Sequence, residues 1–280
     1  MSSSRTDLLA LAQTILDAWV ARKPDAVPRG RSFRYTENGQ DVPLGAGLWS
    51  SVTSSGFRWV IADTETQQVL AFAVLMEGDA PCLAAFRARS DGERCSELEV
   101  LVSRKGQSTI FSPERLTQLD PLYEELVPES ERGDRAALQA AADAYFDGIE
   151  RDDATIVPFH EDCRRFENGA LTTNNPEFLR GMACREQFEQ KLFAYIESVR
   201  ARRYPVADVE RGLVGACVFL DVPGTVTHFE FRGRRHELPE HMRVPRSVLL
   251  FEVFKVVAGS IREIQAFMIN LPYRASSGWE

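Results

Sequence analysis

The chain has 280 residues, beyond the usual size of one domain, and its 44% hydrophobic and 26% charged content is that of an ordinary globular protein. A formal net charge of −8 argues against binding to nucleic acid or to an anionic membrane surface, since both want basic surfaces. Cys82, Cys95, Cys163, Cys184 and Cys217 are scattered, with no CxxC or Cys/His ligand spacing, so neither a disulfide framework nor a zinc site is indicated. Reduced, buried thiols in a cytoplasmic protein are the expectation. Residues 1–11 hold no apolar run of signal-peptide length, and no stretch approaches membrane-spanning length.

The first predicted element is an amphipathic helix, with Leu8, Leu11, Ile15 and Trp19 at helical spacing. Further on, Arg34 precedes the turn signal Glu37-Asn38-Gly39, and Ala62-Asp63-Thr64-Glu65 leads into an apolar strand at 69–75. The pattern then recurs. At an offset of 130 (37 to 167), Glu167-Asn168-Gly169 repeats the turn, Arg164 falls on Arg34, Val157-Pro158 on Val27-Pro28, Asp147 on Asp17 and Leu138 on Leu8. Ala207-Asp208-Val209-Glu210 resembles the Ala62 segment, and Arg262-Glu263-Ile264-Gln265-Ala266 resembles Ser96-Glu97-Leu98-Glu99-Val100. The chain therefore reads as two copies, 1–104 and 134–280. Residues 105–133, with Pro113, Pro121 and Pro128 among apolar residues, read as an ordered connector docked across both.

In the second copy, Leu138, Ala141, Tyr145 and Ile149 mark the opening helix, and Asp152-Asp153 follows it. A strand is expected through Arg164, Arg165, Phe166 and Glu167 to the Asn-Gly turn. Residues 184–203 read as a longer helix, with Phe188, Leu192, Ile196 and Val199 on one face. Strands are expected at 212–221, 224–231, 247–257 and 261–271, the last two joined at Ala258-Gly259. This order defines an α+β fold: two cone-shaped units, each a curved antiparallel sheet wrapped around helices.

These stretches resemble the nuclear-transport-factor-2-like superfamily, which includes ketosteroid isomerases, scytalone dehydratase, limonene epoxide hydrolase and the SnoaL-like polyketide cyclases. The resemblance is carried best by 145–153 and by 251–267, FEVFKVVAGSIREIQAF, which looks like the superfamily's closing hairpin. The paired Glu-Asn-Gly segments also resemble an uncharacterised tandem family of bacteria and fungi. The ketosteroid isomerase resemblance implies a pocket holding a general-base carboxylate, a tyrosine and a protonated acid. Tyr145 stands at the tyrosine position and Glu252 at that of the protonated acid. Glu167, with one residue of slippage, stands near the base, a position that Asn168 could equally occupy. Glutamate in place of aspartate at two of these positions lengthens the side chain.

A carbanion mechanism needs a base beside the C–H bond and donors where the oxyanion develops. The apolar neighbours of Glu252 (Leu249, Leu250, Phe251, Val253, Phe254) would raise its pKa and favour the donor form. The structural alternatives are a Glu252 on a wet sheet face, a Tyr145 that only fills the core, and a Glu167 bonded to turn amides or to Arg164. His160, in His160-Glu161-Asp162, is a second candidate base or else a cap, and the first copy has Gly30 there. His228 and Glu230 share a strand face, either as an acid–base pair or as exposed polar groups. Arg164, Asn168 and His228 are the candidates for holding substrate. Arg232, Arg234, Arg235, His236, His241, Arg243 and Arg246 form a basic run that would grip an anionic group or lie solvated in a loop.

The reading is a cofactor-independent lyase, isomerase or dehydratase moving protons on a hydrophobic cyclic or aromatic small molecule. No nucleotide loop or metal motif is present in the sequence. The alternatives are a non-catalytic binding or scaffolding protein, in which the paired copies create the pocket, and an epoxide hydrolase. The two sheets are expected to pack together as an intramolecular pseudo-dimer, with further homo-oligomerisation left open. Chemistry is expected in the second copy alone. The first has Ile15 in place of Tyr145 and a residue near Ala85 in place of Glu252.

Overall fold

A computed structural model of the protein describes residues 2–279 apart from Glu93 and Arg232. The chain opens with helix α1 (Arg5–Ala21), begun by a Ser4/Asp7 capping box and ended by Arg22 in the left-handed conformation. Then come β1 (Arg29–Glu37), β2 (Gln40–Asp41), the short helix α2 (Leu48–Ser51), β3 (Ser54–Asp63), β4 (Gln68–Glu77), β5 (Ala80–Ser90) and β6 (Cys95–Arg104). The second half repeats the plan. Helix α3 (Arg135–Arg151) is capped by Asp134 and ended by Asp152, again left-handed. It is followed by β7 (Phe159–Glu167), β8 (Ala170–Leu171), α4 (Cys184–Glu189), β9 (Ser198–Asp208), β10 (Leu213–Val222), the hairpin β11 (His228–Phe231) and β12 (Arg234–Glu237), β13 (Arg246–Val257) and β14 (Ser260–Pro272).

Among the described residues these strands form two six-stranded sheets, ordered β2-β1-β6-β5-β4-β3 and β8-β7-β14-β13-β10-β9. Each is mixed where antiparallel pairing throughout was expected. Beyond the short β2 and β8, each sheet is an antiparallel meander, but the strand nearest the helix joins its last strand in parallel, β1 to β6 and β7 to β14. Three hairpin reversals turn β6 and β14 against β3 and β9 and leave them running alongside β1 and β7. Local pattern shows each strand but not the neighbour it takes. The architecture is otherwise the tandem of helix-backed curved sheets that the superfamily resemblance implies. No helix among the described residues is long and apolar enough to cross a membrane.

Residues 184–203 are not one helix. Helix α4 stops at Glu189, Lys191 takes a left-handed φ of 56°, and residues from Ser198 on are the edge strand β9. Pro205 fits an edge, where its missing N–H costs no ladder bond. Arg202 of this strand reaches back to Asp147 and Glu150 of α3 at 2.7 and 2.6 Å. The expected strand at 224–231 is also shorter. Only His228–Phe231 is extended, and it pairs with β12 in a separate two-stranded hairpin.

Each sheet has one face on its own helix and the other on the opposite sheet. On β13, Val248, Leu250, Phe254 and Val256 pack toward α3, whereas Leu249, Phe251 and Val253 join Leu70, Phe72, Leu83 and Leu101 of the first unit. Burial on both faces is why this strand reads as an unbroken apolar run. Phe72 and Phe267 meet edge-to-face across the interface at 5.0 Å.

The interface is reciprocal. Arg5 of α1 pairs with Asp208 at 2.9 Å, and its counterpart Arg135 of α3 pairs with Asp63 at 2.7 Å. The repeated Ala-Asp motif thus anchors the other unit's helix, as an internal twofold requires. The segments after β6 and β14 also cross over. Ser112 N–H bonds to Asn168 O at 2.9 Å, and the Ser112 carbonyl covers Gly169; after β14, the Ser276 carbonyl covers Gly39. A Cβ at Gly169, where φ is +89°, would lie 2.2 Å from Ser112 O. Gly169→Ala is therefore expected to cost about 1–3 kcal/mol in urea unfolding. A loss too small to measure would show that the connector does not seat there.

Candidate acid–base site in the second unit

Strand β7 puts Cys163, Arg165 and Glu167 two residues apart, so their side chains share the face turned to α3. Arg165 is 2% exposed. It donates to Gln187 Oε1 at 2.5 Å, Thr172 Oγ1 at 3.2 Å and Tyr145 Oη at 3.4 Å, and it pairs with Glu167 at 3.4 Å. Its guanidinium also lies over the Phe193 ring. A cation this deep needs such a set of acceptors to offset its lost hydration. Arg165 is a site residue that local pattern does not single out. The available signal was its two-residue spacing from Glu167, obscured within the charged run HEDCRRFE.

Tyr145 projects from α3 into rings of Phe146, Phe159, Phe188 and Phe254. Burial, opposed by Arg165, holds its hydroxyl protonated, well above the ordinary tyrosine range. Glu252 lies on β13 between Ala216 and Ala266 of the neighbouring strands, and these small side chains leave it room. It is 2% exposed, and its Oε2 has no protein hydrogen-bond partner. Burial and then the negative charge of Glu167 push its pKa up to about 8, against the pull of Arg165. At neutral pH Glu252 is an O–H donor.

The first unit fills the equivalent space with rings. Trp19 stands edge-on to Trp49 and Phe86 at 5.8 and 5.2 Å. Phe86 pairs with Val100 as Glu252 pairs with Ala266, so Phe86 and not Ala85 takes the place of Glu252. Ala85 faces the other sheet. The two closing hairpins are equal in length, which moves the match by one residue from Ala85 to Phe86. Tyr35 replaces Arg165, and its hydroxyl donates to Glu37 Oε2 at 3.0 Å. Glu37 also accepts the Leu48 amide at 2.8 Å, a structural cap.

The other sequence candidates lie apart from this group. Asn168 has φ 46° and is fully occupied by backbone: its Nδ2 donates to Ile110 O and Met268 O, and its Oδ1 accepts from Met268 N. Asn38 makes the matching pair of bonds to Val102, which gives the repeated Asn-Gly a shared structural job. Arg164 turns to the sheet interface, bonding Asp120 at 2.7 Å and Glu263. His160 contacts the Asp162 amide and Arg262, both at 3.1 Å. His228 is exposed on β11 beside Thr227, and Arg234, Arg235 and His236 are exposed on β12. Glu230, which shares the β11 hairpin, is likewise exposed. His241 is exposed, Arg243 binds Glu237, and Arg246 binds the Met242 and Val244 carbonyls. Arg232 lies outside the described residues. Among the described residues no cluster of three or more His, Cys, Asp or Glu side chains is arranged to hold a metal.

Two cavities lie elsewhere, between the units. One, of about 220 Å³, is lined by Phe57, Leu116, Leu119, Tyr123, Glu263 and Gln265. Tyr123 Oη, Glu263 Oε1 and Gln265 Nε2 are buried there without protein partners. The other, of about 360 Å³, lies among Arg5, Trp59, Tyr123, Asp208 and Arg211. Neither is lined by Tyr145 or Glu252, which are packed by the aromatic cluster.

Residues 131–268 match a family described as "Domain of unknown function (DUF8021)". No curated protein matches the chain. Among solved structures, an NTF2-like protein from Cytophaga hutchinsonii is similar over 49% of this chain and 99% of its own, at 15% identity and a TM-score of 0.29. A phenazine biosynthesis-related protein from Pseudomonas aeruginosa is similar over 49% of this chain and 80% of its own, at 12% identity and a TM-score of 0.29. A de novo designed protein with a curved β-sheet is similar over 48% of this chain and 87% of its own, at 11% identity and a TM-score of 0.29.

Proposed function

We propose that the second unit is an acid–base catalyst for a compact hydrophobic carbonyl or hydroxyl compound, with proton transfer carried by its own side chains. The observation that carries this reading is Glu252: a buried acid, neutral up to about pH 8, with an unpartnered oxygen on the face it shares with Tyr145 and Arg165. In the proposed step, Glu167 takes a proton from a carbon next to the carbonyl. The O–H groups of Glu252 and Tyr145, with the Arg165 cation, stabilise the enolate oxygen. Such donors accelerate the step because they strengthen as charge develops. His160, turned to Arg262, is the weaker candidate base. The reaction class within this chemistry (isomerase, lyase or dehydratase) depends on where the proton is returned and whether a group leaves.

A suitable probe is 2-tetralone, a bicyclic ketone whose α-hydrogens exchange in D2O and are followed by NMR. Tyr145→Phe is expected to slow catalysed exchange by roughly 10- to 1000-fold, with a small change in unfolding midpoint. Equal rates for the variant and the parent would remove Tyr145 from the mechanism.

The unpartnered Tyr123 Oη, Glu263 Oε1 and Gln265 Nε2 favour a second reading, a non-catalytic protein binding its ligand between the units. Ligand affinity that falls on Gln265→Leu but not on Glu252→Met would select it.

A further inference from the structure

Cys163 of β7 and Cys184 at the start of α4 are each 1% exposed, and their sulfurs lie 2.9 Å apart. That separation is inside the van der Waals contact of two sulfurs, and a small approach would bring them to the bonded distance of about 2.05 Å. The two belong to different parts of the unit. Cys163 is in the strand that carries Arg165, whereas Cys184 is in the irregular segment 172–197 that lays Gln187, Phe188 and Phe193 over Arg165 and Tyr145. The first unit has only the shorter stretch 42–53 at this place. The covering segment is already tied to β7 at this point, because Asn174 Nδ2 and Cys184 Sγ both bond to the Cys163 carbonyl, at 2.9 and 3.2 Å.

We propose that Cys163 and Cys184 are a site of reversible oxidation, forming a disulfide that fastens the covering segment to the floor of the second unit. Small-molecule disulfides are the class of oxidant. When the segment lifts, the Cys184 thiolate attacks the oxidant RSSR, forming a mixed disulfide and expelling one thiolate. Cys163, giving up its proton, then attacks Cys184 Sγ and displaces the second. Two protein thiols and RSSR become one protein disulfide and two RSH. Cys184 suits the attacking role because it lies on the segment that lifts, whereas Cys163 stays in β7. In the closed form burial opposes its ionisation, but the Cys163 thiol, the Arg165 guanidinium and Thr173 outweigh burial and lower its pKa. Burial and the neighbouring sulfur raise that of Cys163. Both sulfurs are covered in the closed form, so oxidation captures the segment as it recloses. Control of access to Glu252 and Tyr145 by this bond rests on the acid–base reading, but the bond itself does not.

The test treats the full chain with oxidised glutathione, then unfolds it, blocks free thiols and measures intact mass and peptides. The expected product has lost two hydrogens, keeps three of the five thiols free, and yields a peptide linking Cys163 to Cys184. Cys163→Ser should instead stop at a glutathione mixed disulfide on Cys184. Five free thiols, or a bond involving Cys82, Cys95 or Cys217, would overturn the proposal. Oxidation should also slow hydrogen exchange across residues 172–197 by roughly tenfold or more, reversibly with dithiothreitol. Unchanged exchange there would defeat the fastening role. If the disulfide forms but 2-tetralone is inert in both redox states, the failure belongs to the proton-transfer reading alone.

Discussion

Replacing Glu252 by methionine is expected to stabilise the chain by about 3 kcal/mol at pH 7 and to abolish catalysed exchange. A residue kept for folding would do the opposite. In the folded chain Glu252 holds its proton to about pH 8, against an ordinary value of 4.5. Below pH 4.5 both folded and unfolded chains carry the proton, and nothing is lost. Between pH 4.5 and 8 the unfolded chain releases the proton while the folded chain retains it, so stability falls as pH rises. Methionine, unbranched and similar in length, removes that penalty, so the gain should vanish toward pH 4.5, rise to its full size near pH 8 and hold there above it. Glu263, pushed up by burial to about 7, acts in the same direction. Lys255, lowered by burial from 10.5 to about 8, favours the folded chain increasingly above pH 8. The unmodified chain should therefore lose stability from pH 4.5 to 8, and above pH 9 the buried Cys82, Cys95 and Cys217, pushed up to about 12, oppose the gain from Lys255 because only the folded chain keeps their protons. Urea unfolding from pH 4.5 to 10 reads both effects, and a methionine variant less stable at pH 8 would show that Glu252 is a satisfied structural acid.

Arg165→Met is expected to cost about 3–5 kcal/mol, the range for removing one partner of a buried ion pair. Glu167 and Glu252 would then face each other without the cation that now opposes the rise in Glu252's pKa. The pH window of Glu252 should accordingly move upward. Lysine should restore the charge but little of the stability, because one ammonium cannot serve Gln187, Thr172, Tyr145 and Glu167 as the planar fork does. A loss below about 1 kcal/mol on Arg165→Met would mean that the cation is reached by water and does not organise the site.

The divergence between the units follows from the same positions. Trp19, Trp49 and Phe86 close the first unit with apolar contacts, and Tyr35 supplies a neutral hydroxyl to Glu37 where the second unit supplies Arg165 to Glu167. The first unit is accordingly proposed as the structural partner. It gives the second a sheet face to pack on, through Leu70, Phe72 and the paired Arg5–Asp208 and Arg135–Asp63 contacts.

The duplication was legible in the sequence because its motifs recur in order at a fixed offset, and the two opening helices and most strands because each rests on local periodicity. Leu8 to Trp19 and Leu138 to Ile149 repeat at helical spacing, and β4, β10, β13 and β14 are apolar runs bounded by turn residues. The apolar setting of Glu252 was legible for the same reason. What only the tertiary structure decided was direction and partnership. β7 joins β14 in parallel, residues from Ser198 on leave the helical pattern for an edge strand, and Arg165 turns inward from a charged run. The connector and tail cross to the opposite unit, which is why Asn-Gly recurs: a left-handed Asn clamps the last strand, and a glycine leaves room for a carbonyl. Cys163 and Cys184, 21 residues apart, meet only because the covering segment folds back on β7. Local pattern follows from a residue's nearest neighbours along the chain. These contacts are set by burial and packing between segments distant in sequence, which spacing alone does not encode.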